Sequence, residues 1–293
     1  MKKYLAEFFE MFSYPEEAAA ALNGAYEELT ADQSRQQQFE ALMHCYAADK
    51  NCDFKDIFEK IRELSDAAGI HRYTGELLLF ICLSKALKQH YLAEGVDEEI
   101  WFTSMCDLKY KLVECQLVHG IWGSFVAPWF VGFFNMTRFG FGKLQFELEP
   151  FRHHYEKGGI VLKPDDLVIN THIPRTGSKL DREAKAEAYR KAGEFFRKRL
   201  GNQPIAFVCH SWLLFPRNLE ILSPESNLYA FISDFDIIEW QEYGDYREVW
   251  RLFDVEYNGD VEQLPQNTSF RRAYANWIRN GEKTGWGYGV FLL

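Results

Sequence analysis

The stretch LVINTHIPRTGSKLD, residues 167–181, decides the fold of the second half of the chain. Residues 167–173 are mostly apolar and partly β-branched, which is typical of a strand buried on both faces. Pro174 to Lys179 contain turn residues, and a helix is predicted from residue 181 to about residue 200. A strand that enters a helix through a polar loop points backbone N–H groups outward, a geometry that binds phosphate. An ordinary strand-to-helix connection fits the same pattern, so both interpretations stay open.

Further strands are predicted on both sides of this stretch. Residues 205–209 form a second buried strand, and a strand–helix–strand order requires a right-handed crossover that makes the two strands parallel. Alternation of apolar and polar residues over 144–149 predicts a half-buried strand. We also predict strands near 229–240 and 248–254, a helix over 269–280 and a terminal strand over 286–293. The second half of the chain is therefore predicted to be a mixed α/β domain.

The first part of the chain contains helical patterns only. Residues 75–92 are apolar on nearly every side at their start, which places that helix in the middle of a helical unit. The composition changes after residue 117, where aromatic residues become frequent. The predicted fold class is α+β, with an all-helical domain over 1–117 and a mixed α/β domain over 118–293.

Composition excludes several classes of function. The chain has 293 residues and a net charge of −10, which argues against a nucleic-acid or anionic-membrane partner. No apolar stretch is long enough to span a bilayer, and acidic residues come too early for a signal peptide, so we expect a cytoplasmic location. The six cysteines form no C-x-x-C pair, so neither a metal site nor a disulfide framework is predicted.

Several short stretches carry a resemblance to a known family. They read FGFGKLQFE at 139–147, HIP at 172–174, VCHSWLL at 208–214, SNL at 226–228, LP at 264–265 and TSFRRA at 268–273. These stretches resemble bacterial acyltransferase domain-containing proteins, which join a helical N-terminal domain to a C-terminal domain similar to GNAT (Gcn5-related N-acetyltransferase) enzymes. The resemblance implies two central parallel strands that splay apart, and a loop whose backbone amides hold the pyrophosphate of acetyl-CoA or another acyl-CoA. It implies no metal.

The cofactor-binding residues that the resemblance implies lie in the loop after the central strand and on the next strand. They are Ile173, Arg175, Thr176, Gly177, Ser178, Lys179 and Cys209. The usual GNAT loop reads Gln/Arg-x-x-Gly-x-Gly/Ala, whereas residues 175–180 contain a single glycine. Either the charges of Arg175 and Lys179 and the hydroxyl of Ser178 share the binding with the backbone, or the loop no longer holds a pyrophosphate.

Acyl transfer to an amine requires a base that removes the ammonium proton. Glu147 is the first candidate, because it lies on the polar side of the 144–149 strand, although a solvated carboxylate fits the same pattern. His172 ends the central strand and is a candidate base or hydrogen-bond donor, or else a structural histidine. Ser211 is a candidate contact to the acyl or pantetheine arm. Cys209 and His210 are neighbours on a strand and point to opposite faces, so a covalent cysteine mechanism is not expected.

The predicted function is an acyl-CoA-dependent N-acyltransferase, in the simplest case an N-acetyltransferase, with a small-molecule amine or a peptide as acceptor. Two alternatives remain: a non-catalytic GNAT-like protein that binds CoA or another phosphorylated ligand, and a protein-interaction module. The sequence does not predict an oligomeric state.

Overall fold

The computed structural model describes residues 1–293, and the chain divides into two compact units, residues 1–140 and 141–293. The first unit is helical, as predicted. Its helices are α1 (Lys2–Met11), α2 (Glu16–Ala31), α3 (Gln33–Ala48), α4 (Phe54–Ala67), α5 (Arg72–Ala93), α6 (Glu98–His119) and the short α7 (Val131–Phe134). Polar side chains begin three of them, since Asp32, Asp53 and Asp97 each accept a hydrogen bond from a backbone N–H of the first turn.

Helix α5 forms the core of the first unit. Residues 77–83 are buried without interruption, in agreement with the all-round apolar pattern. The ring of Phe80 lies 5.3 Å from the Phe130 ring and 4.8 Å from the Phe134 ring. The aromatic segment after α6 thus packs within the helical unit, and the compact units divide at Gly140 and Phe141. The sequence-based boundary between 117 and 118 stays a prediction, and it lies in the last turn of α6, which ends at His119.

The second unit is built on a mixed sheet. Its elements are β2 (Leu144–Pro150), β3 (Tyr155–Lys157), β4 (Ile160–Leu162), β5 (Leu167–His172), α8 (Arg182–Leu200), β6 (Ala206–Ser211), α9 (Asn227–Ser233), β7 (Asp236–Glu242), α10 (Trp250–Phe253), α11 (Ser269–Arg279) and β8 (Gly285–Leu292), preceded by β1 (Arg138–Phe141). The six-stranded sheet has the order β1-β2-β5-β6-β8-β7, and β3 and β4 form a separate hairpin. The pair β5–β6 is parallel, as predicted, with α8 as its crossover.

Two predicted strands are partly or wholly wrong. The segment near 229–240 begins as helix α9, because the Ser226 hydroxyl accepts a hydrogen bond from the Tyr229 N–H at 3.1 Å and starts a helix; only Asp236–Glu242 is a strand. The segment 248–254 contains helix α10 instead of a strand. Val249 and Phe253, four residues apart, are both buried in one apolar cluster, which is the spacing of a helix face.

The strand register assigns the side chains of the sheet to two faces. On one face, the Tyr189 ring of α8 packs against the rings of Phe146, Phe207 and Phe291, at centroid distances of 5.5, 4.7 and 4.9 Å. On the opposite face, side chains of the β3–β4 hairpin share an apolar cluster with Val168 and Val208. Both faces of the central strands are therefore covered, which explains the apolar runs with which they begin, residues 167–169 and 206–209.

Strand β8 depends on alternating glycines. Gly285, Gly287 and Gly289 lie where the segment 214–215 or Phe235 approaches the sheet closely. A Cβ atom at Gly287 would lie 2.1 Å from the carbonyl oxygen of Leu214, a backbone atom that cannot move aside like a flexible side chain. The absence of a side chain here allows the chain after β6 to fold over β8.

We therefore expect Gly287→Ala to destabilise the protein by about 3 kcal/mol, through overpacking against backbone. The measurement is the free energy of unfolding in urea. Gly244→Ala is the matched control, because nothing lies within 4 Å of a Cβ atom at that position, and it should change stability by at most about 0.5 kcal/mol. Equal unfolding midpoints for the two variants would contradict the close approach.

Candidate functional site

The central feature of the candidate site is the limited pairing between β5 and β6. The parallel register includes only Ile169 with Phe207 and Asn170 with Val208. Beyond it β5 continues to His172, paired with Gln145 of β2, and β6 continues to Ser211, paired with Gly287 of β8. The two strands therefore separate at their carboxyl ends, the region where open α/β sheets bind ligands.

Two predicted site residues meet at this position. The Nε2 atom of His172 lies 2.7 Å from Oε1 of Glu147, although the residues are 25 positions apart in the chain. In the β2–β5 register, Glu147 lies opposite Asn170. His172 is two residues further along β5 and points to the same face of the sheet. The His172 and Glu147 side chains are 17% and 18% exposed, so the pair is largely desolvated and still reachable from solvent. We call Glu147 and His172 the dyad.

A second polar pair lies beside the dyad. The Asn170 amide donates a hydrogen bond to Oε2 of Glu149 at 2.8 Å. Burial raises the pKa of the Glu149 carboxyl, and the charge of Glu147 acts in the same direction. The Asn170 hydrogen bond opposes this shift because it favours the ionised carboxylate.

His210 is a site residue that the sequence argument missed. Because Asn170 pairs with Val208, His210 lies two positions beyond that pair on β6, as His172 does on β5. The two histidines therefore occupy opposite edges of the gap on one face of the sheet. The His210 ring contacts the Trp286 ring edge-on at 4.4 Å, and desolvation lowers the pKa of His210. Because side chains alternate along a strand, the sequence alone places His210 on the same face as Val208. The register of β5 against β6 is needed to show that this face also carries His172.

Cys209 and Ser211 point to the other face, by the same alternation. Cys209 is 1% exposed, and burial raises the pKa of its thiol. The Ser211 hydroxyl accepts a hydrogen bond from the Leu213 N–H at 3.1 Å and caps the helical turn that follows. The structure therefore does not bring these two side chains together with the dyad.

The predicted phosphate loop follows β5 and leads into α8. Ile173, Arg175 and Thr176 are half-buried, whereas Gly177, Ser178 and Lys179 are exposed, and Gly177 has a φ angle of 72°. The Thr176 and Ser178 hydroxyls lie 3.0 Å apart. This loop is held internally and opens toward solvent at its tip.

The start of α8 carries charges of both signs. The Asp181 carboxylate accepts a hydrogen bond from the Ala184 N–H at 2.8 Å, and this bond lowers the pKa of Asp181. Lys143, in the turn between β1 and β2, donates to the carbonyl of Lys179 and lies 3.5 Å from Asp181. Lys143 is a second residue that sequence reasoning missed, since its position depends on the β2–β5 pairing.

Two further findings concern metals and membranes. No group of three or more His, Cys, Asp and Glu side chains is arranged to hold a metal ion. None of the helices combines the length and apolar character needed to cross a membrane.

Comparison with known proteins agrees with the fold. The family described as the GNAT-like C-terminal domain matches residues 139–291, and the N-acyltransferase N-terminal domain matches residues 3–136. The chain belongs to this family, in which a helical N-acyltransferase domain precedes a GNAT-like domain. No curated protein matched the chain.

Solved structures similar to the chain are described as acyltransferases. One, in complex with decanoyl-CoA, is 19% identical, with a TM-score of 0.72 over 98% of this chain and 87% of that chain. Another, in complex with decanoyl-CoA and teicoplanin, is 19% identical, with a TM-score of 0.74 over the same shares of the two chains. A mutant acyltransferase in complex with octanoyl-CoA is 20% identical, with a TM-score of 0.74 over 99% of this chain and 88% of that chain. At these identities the likeness shows a common fold.

The burial of Cys209 leads to a prediction about its reactivity. In the native protein a maleimide should label Cys45, which is exposed, at least about a hundredfold faster than Cys209, because a buried protonated thiol reacts only after local opening. Mass spectrometry of peptides from timed samples measures both rates. Both thiols should be labelled after unfolding in urea. Comparable labelling rates in the native state would show that Cys209 is accessible.

Proposed function

We propose that this protein is an acyl-CoA-dependent N-acyltransferase that uses the dyad as its general base. The observation that carries the proposal is the 2.7 Å contact between His172 and Glu147 at the carboxyl end of β5, where β5 and β6 separate. A carboxylate that holds one imidazole nitrogen fixes the tautomer and orientation of the ring. A histidine with no catalytic role does not require this combination of carboxylate partner, partial exposure and position.

The dyad supports a direct attack. When Nε2–H of His172 donates a hydrogen bond to Glu147, the lone pair of the neutral imidazole lies on Nδ1. This nitrogen can accept a proton from the acceptor ammonium. The resulting amine attacks the thioester carbonyl carbon, so that a C–N bond forms and the C–S bond breaks. The electron pair of that bond leaves with the CoA thiolate. The attacking nitrogen loses its second proton to give the neutral amide, and the thiolate takes up a proton, so that charges and protons balance. No covalent enzyme intermediate is needed, in agreement with the buried position of Cys209.

The loop after β5 supports the CoA part of the proposal. Lys143, Lys179 and Arg182 lie at the loop and the start of α8, whereas Asp181 caps the helix. Phosphate groups are favoured by this positive charge together with backbone N–H groups at the beginning of a helix. We propose the tip from Thr176 to Lys179 as the pyrophosphate contact. Ile173 and the backbone of Cys209, whose side chain is buried, are proposed to border the cofactor cleft.

His210 completes the proposed site on the β6 side of the gap. Because its pKa is lowered, the imidazole is neutral at physiological pH and offers one N–H donor and one acceptor nitrogen. We propose that it contacts the thioester or the acceptor amine opposite His172. Ser211 is retained as a candidate contact to the acyl arm through its backbone, since its hydroxyl already caps a turn.

The similar structures bear on the acyl chain and the acceptor. The similar structures in complex with decanoyl-CoA and octanoyl-CoA support acyl chains longer than acetyl, and those with teicoplanin support a small-molecule acceptor. We therefore propose an acyl-CoA without restricting it to acetyl-CoA, and a small-molecule or peptide amine as acceptor.

Calorimetric titration tests the binding half of the proposal. Acetyl-CoA, octanoyl-CoA and decanoyl-CoA are each titrated into the wild-type protein, and we expect at least one of them to bind at sub-millimolar concentration. Free adenosine is the control for binding without phosphate or acyl groups. If none of the three acyl-CoAs binds, the acyl-CoA function is wrong and the interaction-module alternative gains support.

Substitution of the dyad tests the catalytic half. His172→Gln should lower kcat by about a hundredfold or more and leave acyl-CoA affinity nearly unchanged, because general-base catalysis contributes in this range. Glu147→Gln should lower kcat by at least about tenfold, since the ring loses its orienting carboxylate. The assay measures the release of free CoA with an amine acceptor. His154→Gln is the matched control, because His154 is exposed outside the gap.

Each result has a defined meaning. Acyl-CoA binding without turnover in a broad screen of amine acceptors would favour the non-catalytic alternative. Unchanged kcat in His172→Gln would remove the dyad from the mechanism while leaving the cofactor proposal intact.

A further inference from the structure

Three charged side chains meet beside the proposed phosphate loop. Arg175, in the loop, donates from Nη2 to Oδ2 of Asp254 at 2.6 Å, and its Nη1 contacts Oδ1 of the same carboxylate. Arg271 of α11 also donates to Oδ2 of Asp254. The Asp254 and Arg271 side chains are only 12% and 11% exposed. We call Arg175, Asp254 and Arg271 the clasp.

The backbone around Asp254 and Arg271 fixes the distal part of the clasp. Asp254 ends helix α10 in the left-handed region, at φ 63°, and its N–H donates to the carbonyl of Trp250. Arg271 donates through Nε to the carbonyl of Leu252 at 2.8 Å and through Nη1 to the Asn267 side chain at 3.0 Å. Three nitrogens of Arg271 are thus engaged, and the carboxylate of Asp254 is held at a defined position before Arg175 reaches it.

The geometry argues against a direct role of Arg175 in phosphate binding. A bidentate contact to a nearly buried carboxylate uses the fork of the guanidinium group. Transferring Arg175 to a ligand phosphate would leave that carboxylate with Arg271 alone and would cost the bidentate contact. Arg175 therefore contributes more by holding the loop than by moving to a ligand.

We infer that the clasp positions the loop of residues 173–181 for acyl-CoA, and that Arg175 is a positioning residue and not a phosphate ligand. The inference rests on the proposed function, since it assigns a role in acyl-CoA binding. The clasp holds the loop at Arg175, and Lys143 holds it at the carbonyl of Lys179. Between these two anchors, the N–H groups of Thr176 and Ser178 donate within the loop. The N–H groups of Gly177 and Lys179 and the Lys179 side chain are the donors that we propose for the phosphates.

The clasp also offers an explanation for the single glycine. A loop with several glycines adapts its backbone around a ligand, whereas residues 175–180 have only Gly177 in the left-handed region. In this loop the side-chain contacts of Arg175 and Lys143, at the two ends of the tip, restrict the backbone instead. The ordering cost on binding is then smaller, because the loop is already held in one conformation.

Asp254→Asn separates the two possible roles of Arg175, because they predict opposite signs. If Arg175 positions the loop, a neutral amide weakens the clasp, and the KM for acyl-CoA should rise by about tenfold. If Arg175 binds phosphate and Asp254 competes for it, removing the negative charge should lower that KM. Asp245→Asn is the matched control, because Asp245 forms an exposed ion pair with Arg247.

Arg175→Lys provides the second test and guards against misfolding of the first variant. A lysine keeps the charge and loses the bidentate geometry. The clasp predicts a rise in the KM for acyl-CoA similar to that of Arg175→Ala, with kcat, the KM for the acceptor and the thermal midpoint nearly unchanged. The double variant Arg175→Ala/Asp254→Asn should be no weaker than the more affected single variant, because both act through one contact.

The outcomes distinguish this inference from the proposed function. Absence of acyl-CoA binding in the wild type overturns both. Wild-type binding together with tighter binding in Asp254→Asn, or with full rescue by Arg175→Lys, overturns the positioning role alone and makes Arg175 a phosphate ligand. Additive losses in the double variant also contradict the clasp.

Discussion

The early end of the parallel pairing between β5 and β6 is the constraint on which the rest of the second unit depends. Only Ile169–Phe207 and Asn170–Val208 are paired, and each strand then follows its antiparallel neighbour. The separation is tolerated because β2 and β8 still pair with the outer edges of the central strands. Beyond the two paired positions, the inner edges face the gap without a partner strand, so their backbone N–H and C=O groups make the gap polar.

One face of the sheet is used for packing, and the other also carries the polar side chains of the candidate site. The face against α8 is aromatic, and its side chains pack around Tyr189. The opposite face combines an apolar cluster under the β3–β4 hairpin with the dyad and the Glu149–Asn170 pair. Polar groups at such a position are costly unless they are paired, and each of these two carboxylates has a side-chain partner from β5. The same contacts that satisfy these groups also orient His172.

Many of the helices and strands were predictable from local sequence, whereas the contacts between their side chains were not. The apolar run before Pro174 and the turn residues after it predicted β5 and the start of α8, and alternation singled out Glu147. The contact between Glu147 and His172 depends on the register of β2 against β5, which one sequence does not contain. His210 and Lys143 were missed for the same reason. Helix α10 was predicted as a strand because a short segment with β-branched and aromatic residues fits both structures.

Arg175 shows how a contact between distant segments changes the role that we propose for a residue. Sequence reasoning saw a cation in a candidate phosphate loop and assigned it to the phosphate, as the charge rule suggests. Its partner Asp254 lies 79 positions later, in a segment predicted as a strand, where a carboxylate would not have been held at a helix end. Once the helix end and Arg271 are in place, the carboxylate is a fixed anion beside the loop. A guanidinium that can reach such an anion gains a contact through both Nη atoms before any ligand arrives. In the positioning role that we propose, the charge therefore stabilises the shape of the loop, and phosphate binding is left to the loop tip.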